Sequence, residues 1–104
     1  MNGDEAKPRY VISIAAEMLD IQTYTLRYYE KVGIIKPARS PGNTRLYSDM
    51  DLALLRRIRT MMEDLGINLA GIDVILRMSQ QIAELQRATD EMELELRRLR
   101  REEG

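Results

Sequence analysis

A heptad spacing of apolar residues near the end of the chain places the strongest constraint on how this sequence can fold. Successive members are 3, 4, 3, 4 and 3 positions apart: Ile82, Leu85, Thr89, Met92, Leu96 and Leu99. This spacing puts them on one narrow stripe of an α-helix, at alternating a and d positions. Their neighbours are almost all Glu, Gln and Arg, so the stripe predicts pairing with a second copy of the chain. The alternative is a helix that folds back on its own domain.

The limits of this helix also follow from the sequence. Ile75 and Met78 continue the same register backwards, but we expect a helix break near Ser79. Residues 79–104 are therefore predicted to be a coiled-coil dimerisation helix. Polar Thr89, at a central a position, should cost stability and help to fix the register.

Two absences restrict the chemistry of the chain. It has no Cys and no His among 104 residues. Disulfides, thiolate metal sites and redox switches are therefore excluded, and the commonest metal ligand and general base are missing. The acidic residues lie in stretches of alternating charge that are typical of solvated helix faces. We expect no enzyme activity, no catalytic or metal-binding residues and no cofactor.

The polar start of the chain and its short apolar runs bear on location. No apolar run approaches the roughly 18–20 residues that span a bilayer. Residues 1–9 are polar and mixed in charge, unlike a signal peptide, and are predicted to be a flexible tail. We therefore expect a cytoplasmic protein with no membrane partner.

Charge is distributed unevenly, although the net charge is only −1. Residues 22–47 contain five basic residues and one acid, a local charge of +4. Residues 60–104 contain six Arg and ten acids, a local charge of −4. This asymmetry predicts an anionic partner for the first region and a different role for the second.

The basic region begins with a predicted helix that carries three of the five tyrosines. We predict a helix over residues 22–32, with Gly33 as a left-handed C-cap. Its helical phase separates two faces. Leu26 and Tyr29 belong to the face that should pack on the preceding helix. The opposite face alternates phenol and cation and suits a phosphate backbone and base edges: Tyr24, Arg27, Tyr28 and Lys31. The alternative is a solvated face with partly buried rings.

Elements on either side of this helix complete a motif. A short helix with Ser13 as N-cap precedes it, which makes a helix-turn-helix pattern. "SPGN" follows, with Pro41 and Gly42 in the positions of a type II turn. We predict a small β-hairpin whose arms carry Arg39 and Arg45, the alternative being a plain loop. Helix-turn-helix plus hairpin describes a mainly α, winged-helix DNA-binding domain.

Two further helices are predicted after the hairpin. Ser48 should cap the first of them, with Asp51 completing a capping box. Its apolar stripe is expected to run through Leu52, Leu55, Ile58, Met62 and Leu65. The next helix is expected to be short and capped by Asn68.

The segments "TLRYYEKVGII", "ARSPGNTRLYS" and "DLALLRRI" resemble, in this order, the DNA-binding domain of the MerR family of bacterial transcription regulators. The resemblance covers residues 10–78. Within the family, "YVISIAAEML", "NTRLYS" and "GINLAGIDVIL" look most like the heat-shock repressors. One departure is Gln22, where many members have Ser as the N-cap of the recognition helix. A second is Tyr28, because heat-shock repressors often lack a Tyr there.

This resemblance implies a function and a set of residues. It implies a homodimeric repressor that binds an inverted-repeat operator in double-stranded DNA upstream of chaperone genes, with an Hsp70-type chaperone as co-repressor. The dimerisation helices would pair as an antiparallel coiled coil. Tyr47 would contact a phosphate just after the wing. The helix face, the hairpin and the resemblance together give the predicted DNA-binding residues: Ser13, Thr23, Tyr24, Arg27, Tyr28, Lys31, Arg39, Asn43, Arg45 and Tyr47.

Other interpretations remain open from the sequence. Short relatives that govern nitrogen metabolism share the wing pattern. An architectural or recombination accessory protein that bends DNA is a second alternative, and a coiled-coil adaptor with a vestigial DNA-binding domain is a third. Metal-sensing members need Cys, which is absent, and drug-sensing members carry a ligand domain for which Gly104 leaves no room. We therefore expect no small-molecule effector.

Overall fold

The computed structural model describes residues 3–104, which are mainly helical as predicted. Within residues 3–104, a 3₁₀ helix comes first, and four α-helices and two short strands follow. Their bounds are Gly3–Ala6 (3₁₀), Ile12–Leu19 (α1), Thr23–Lys31 (α2), Ala38–Arg39 (β1), Arg45–Leu46 (β2), Asp49–Glu63 (α3) and Leu69–Glu103 (α4). The chain divides into two compact units, one ending at Ile67 and the other running from Asn68 to Gly104. This division falls earlier than the one predicted after residue 78.

The helices begin in two different ways. α3 has the predicted capping box, in which the Ser48 hydroxyl accepts from the Asp51 amide at 3.0 Å and Asp51 Oδ2 accepts from the Ser48 amide at 2.9 Å. α1 instead has Val11 as its N-cap residue, which provides no side-chain cap. The prediction of Ser13 as N-cap is therefore wrong, because Ser13 lies inside the first turn. Gln22 precedes α2 and also provides no side-chain cap.

The core of the first unit lies where α1, α2 and α3 meet. Ala15, Ala16 and Leu19 of α1 are buried, and Leu26 of α2 is fully buried. α3 contributes Leu52, Leu55 and Ile58, as the spacing predicts. The end of that stripe is different: Met61 is buried where Met62 was expected, and Leu65 is exposed. Leu65 lies beyond the last turn of α3, which ends at Glu63.

The segment before α1 contains a short helix and backbone hydrogen bonds, where the sequence predicted a flexible tail. The 3₁₀ helix Gly3–Ala6 packs on α3. The amides of Arg9 and Tyr10 both donate to the Tyr47 carbonyl, at 3.0 and 2.9 Å, and the Tyr47 amide donates to the Tyr10 carbonyl at 2.7 Å. These bonds tie the segment to the chain after the hairpin. Residues 1 and 2 of the predicted tail lie outside the described residues.

The second unit is one continuous helix. α4 has 35 residues and is about 52 Å long at 1.5 Å per residue. The Asn68 side chain caps it by accepting from the Gly71 amide at 2.8 Å. The break expected near Ser79 does not occur, because no Gly or Pro interrupts the sequence there. Within residues 3–104, no helix is long and apolar enough to cross a membrane.

The residues of the heptad stripe are exposed to solvent on α4. Leu85 is 68% exposed, and Ile82, Met92, Leu96 and Leu99 are also exposed. The Thr89 hydroxyl donates to the Leu85 carbonyl at 2.9 Å. Its hydrogen-bonding capacity as a donor is thus used within the helix, which reduces the cost of placing it in an apolar seam.

Candidate nucleic-acid interface

α2 presents the predicted face of phenols and cations to solvent. Tyr24 and Tyr28 are 69% and 52% exposed, and Arg27 and Lys31 are also exposed. Leu26, on the opposite side, is fully buried. Helical phase therefore separates the two faces as predicted. We call the exposed set, Tyr24, Arg27, Tyr28 and Lys31, the Tyr–Arg face.

The Arg27 side chain has only a weak anchor. Its Nη1 donates to Thr23 Oγ1 at 3.4 Å, near the outer limit for a hydrogen bond. Arg27 makes no ion pair within residues 3–104. The guanidinium thus keeps its planar set of donors available for a bidentate acceptor such as guanine O6 and N7.

Tyr29 is half-buried and has a different neighbour from the one predicted. Its hydroxyl lies 3.5 Å from the Met62 sulfur of α3, and it lines a cleft of about 330 Å³ with Leu55 and Met62. Burial raises the pKa of the Tyr29 hydroxyl. Tyr29 was predicted to join the core with Leu26, but it is only half-buried, and its hydroxyl contacts α3.

The hairpin forms as predicted, with a different turn. Ala38 pairs with Leu46, and Arg39 with Arg45, in antiparallel register. The Asn43 amide donates to the Ser40 carbonyl at 2.8 Å, and Asn43 has a φ of 68°. A type II turn would require positive φ at Gly42, which does not have it. The turn is therefore not type II: the left-handed residue is Asn43, which leaves its exposed amide side chain at the wing tip.

Glu30 of α2 joins the helix to both arms of the wing. Its Oε2 accepts from Arg39 Nη2 at 2.7 Å, and its Oε1 accepts from Arg45 Nε at 2.5 Å. The hydrogen bond from Arg45 is the main cause that lowers the pKa of the Glu30 carboxyl. The sequence prediction missed this role and counted Glu30 only as the one acid in a basic region. The available signal was the pair of arginines on facing hairpin arms, which requires a nearby anion.

Tyr47 is the predicted DNA-binding residue that the structure removes from the surface. It is fully buried, and its hydroxyl has no hydrogen-bond partner among the described residues. Burial raises the pKa of this hydroxyl. The expected phosphate contact of Tyr47 is wrong, because a fully buried hydroxyl cannot reach a phosphate. Ser13 and Asn43 are exposed, and Thr23 is half-buried.

Replacing Tyr47 by Phe should stabilise the protein. The change removes a buried, unpaired hydroxyl, and we expect the free energy of unfolding to rise by about 1 kcal/mol. Tyr10→Phe is the control: the Tyr10 hydroxyl donates to Asp49 Oδ1 at 2.9 Å, so its loss should cost about 0.5–1.5 kcal/mol. Urea denaturation at one protein concentration measures both. Weaker DNA binding by the Tyr47→Phe protein would instead show that the Tyr47 hydroxyl does contact a phosphate.

A helix pair joined by a short turn, an exposed Tyr–Arg face and an arginine-bearing hairpin define a winged helix-turn-helix protein of the DNA-binding class. Residues 10–79 match the family described as "MerR HTH family regulatory protein". The chain belongs to the MerR family of transcriptional regulators.

Two relatives bear on the subfamily. The chain is 43% identical over 88 residues to a Streptomyces coelicolor protein assigned as the heat shock protein HspR, covering 85% of this chain and 58% of that relative. It is 32% identical over 100 residues to the regulator GlnR of Bacillus anthracis, covering 92% of this chain and 77% of GlnR. The higher identity to HspR supports the HspR-like subfamily. The chain spans little more than half the length of that relative.

Two solved structures share the fold. A MerR-family transcriptional regulator from Bacillus cereus is 28% identical with a TM-score of 0.57, covering 80% of this chain and 78% of that one. HiNmlR, a MerR-family regulator lacking the sensor domain and bound to promoter DNA, is 24% identical with a TM-score of 0.61. That match covers 88% of this chain and 76% of HiNmlR.

Proposed function

We propose that this protein is a dimeric, sequence-specific repressor of heat-shock or chaperone genes that acts in the bacterial cytoplasm. The observation that carries the proposal is the exposed Tyr–Arg face of α2 beside a wing with two arginines. α2 would enter the major groove of each half of an inverted repeat, and the wing would contact the flanking backbone. The 43% identity to HspR supports the heat-shock role.

Each part of the site has a proposed role. Arg27 would read a base edge, while the hydroxyls of Tyr24 and Tyr28 and the Lys31 amine would donate to phosphate oxygens. Thr23 and Ser13, at the starts of α2 and α1, would contact the backbone. The wing would contribute Asn43 and the free donors of Arg39 and Arg45. α4 would pair with its partner, antiparallel, through Ile82, Leu85, Thr89, Met92, Leu96 and Leu99.

Selection of operators tests this function directly. Genomic DNA fragments bound by the full chain should contain a few promoter-centred inverted repeats near chaperone genes. Addition of an Hsp70-type chaperone should increase binding if it is the co-repressor. Broad occupancy without a shared repeat would favour an architectural role.

A second candidate function is a regulator of nitrogen metabolism, because the wing pattern resembles that of short family members with this role. The alignment with GlnR spans 92% of this chain. This candidate predicts selected operators upstream of nitrogen-assimilation genes and no effect of the chaperone. The two candidates share the same DNA-binding surface, so only the selected sequences separate them.

Substitutions within the interface should separate base readout from phosphate contact. Arg27→Ala should cost about 1–3 kcal/mol of binding free energy and relax specificity at one position in each half-site. Lys31→Ala should instead weaken binding to all sequences alike, because a contact between an exposed amine and a phosphate carries no sequence information. Gel shifts against operators with single base substitutions measure both effects. Unchanged affinity for both variants would exclude this face from DNA recognition.

A further inference from the structure

The wing contains an unfavourable pair of charges. Arg39 and Arg45 lie directly opposite each other in the hairpin register, so their side chains project from the same face. Like charges at such positions destabilise an antiparallel pair. Each strand has only two residues, and an isolated hairpin is marginally stable at best. The wing therefore needs support from outside its own strands.

Glu30 provides that support from α2. It gives one carboxylate oxygen to each arginine, at 2.7 Å for Arg39 and 2.5 Å for Arg45. The Glu30 side chain is only 21% exposed, so this charge-assisted contact is partly shielded from solvent. Two cations and one anion leave a net charge of +1 for the three groups.

The arginines keep donors for a second ligand. A guanidinium has five N–H donors on three nitrogens, and Glu30 contacts one nitrogen of each. Arg39 retains Nε and Nη1, and Arg45 retains both Nη atoms. Both side chains are partly exposed, so a phosphate could be bound without breaking either bond to Glu30.

We propose that Glu30 is a positioning residue that fixes the wing against α2 and thereby raises the preference for operator over other DNA. This inference rests on the proposed DNA-binding function. A wing that is fixed relative to α2 can contact phosphates well only when α2 is aligned with the bases of the operator. Glu30 also cancels one wing charge, which lowers the sequence-independent attraction to phosphate.

Glu30→Gln tests the proposal because it keeps the shape and removes the charge. In the free protein, the Ser40 amide, which donates to the Thr44 carbonyl at 2.9 Å, should exchange roughly 10-fold faster. The ratio of affinities for a wild-type-selected duplex and a scrambled duplex should fall roughly 10-fold. The slope of log affinity against log salt should steepen by about 1.

Two further variants separate position from charge. Glu84→Gln makes the same charge change at an exposed α4 residue outside the heptad stripe that has no ion pair within residues 3–104, and all three readouts should stay at wild type. Glu30→Gln combined with Arg39→Gln restores the net charge of +1, so its salt slope should return to wild type while selectivity stays low. If the Glu30→Gln protein does not fold, the double variant still tests the proposal, because it lacks the repulsion between Arg39 and Arg45.

Two results would overturn the proposal. One is a wild-type ratio of operator to scrambled-duplex affinity in the double variant, which would mean that Glu30 acts only through its charge. The other is unchanged exchange at Ser40 in Glu30→Gln. If the wild type prefers no sequence at all, the proposed function fails, while the exchange measurement still decides whether Glu30 holds the wing.

Discussion

Replacing Leu85 and Met92 together by Asp should give a monomer that loses operator binding. Both residues occupy d positions and are exposed in the single chain, 68% and 63%, so the substitutions disturb no intramolecular packing. In an antiparallel pair, four carboxylates would enter an apolar seam, and burial of each costs several kcal/mol. Without the second half-site, affinity should fall on the order of 10²–10⁴-fold.

Light scattering and gel shifts measure the two consequences separately. The matched control is Ala83→Asp with Leu94→Asp, which adds the same charges to exposed positions of α4 outside the heptad stripe. That control should stay dimeric and bind the operator. If the Leu85 and Met92 double variant remains a dimer, the interface lies elsewhere on the chain.

Features set by local chemistry were predictable from the sequence. The capping box of Ser48 and Asp51 depends on two residues three positions apart, and it forms as expected. The separation of Leu26 from Tyr24 and Tyr28 follows from helical phase alone. The exposed stripe of α4 likewise follows from spacing, although its partner is a proposal.

Features set by competition between weak preferences were not predictable. Ser13 is a good N-cap residue, but α1 begins earlier and leaves it in the first turn. Gly42 is the favoured left-handed residue of its turn, yet Asn43 takes that conformation, which Asn also tolerates. At Ser79, a modest helix propensity does not break α4, because Ser costs only a fraction of a kcal/mol relative to Ala.

The site residues that prediction missed or misplaced depend on contacts between distant segments. Glu30 is 9 and 15 residues from the arginines that it joins, and no local pattern shows that they meet. Tyr47 carries an apolar ring and a polar hydroxyl, so its sequence permits either surface or core. In the structure, Tyr47 bridges to Tyr10 and is fully buried.

Affinity for the operator should depend steeply on salt, although the protein as a whole is slightly acidic. If the dimer makes roughly 6–10 phosphate contacts, affinity should fall on the order of 10³–10⁵-fold between 50 and 200 mM salt. The reason is the local charge of +4 over residues 22–47, because phosphate neutralisation depends on the cations at the interface and not on net charge.

Two substitutions with the same charge change test where the salt dependence originates. Lys31→Gln removes an exposed cation from the last turn of α2. If Lys31 neutralises one phosphate, the slope of log affinity against log salt should become shallower by about 1. Arg87→Gln removes an exposed cation from α4 and should leave the slope unchanged. Equal effects of the two would mean that DNA responds to the net charge of the chain. An effect of Arg87→Gln alone would move the DNA-binding surface from α2 to α4.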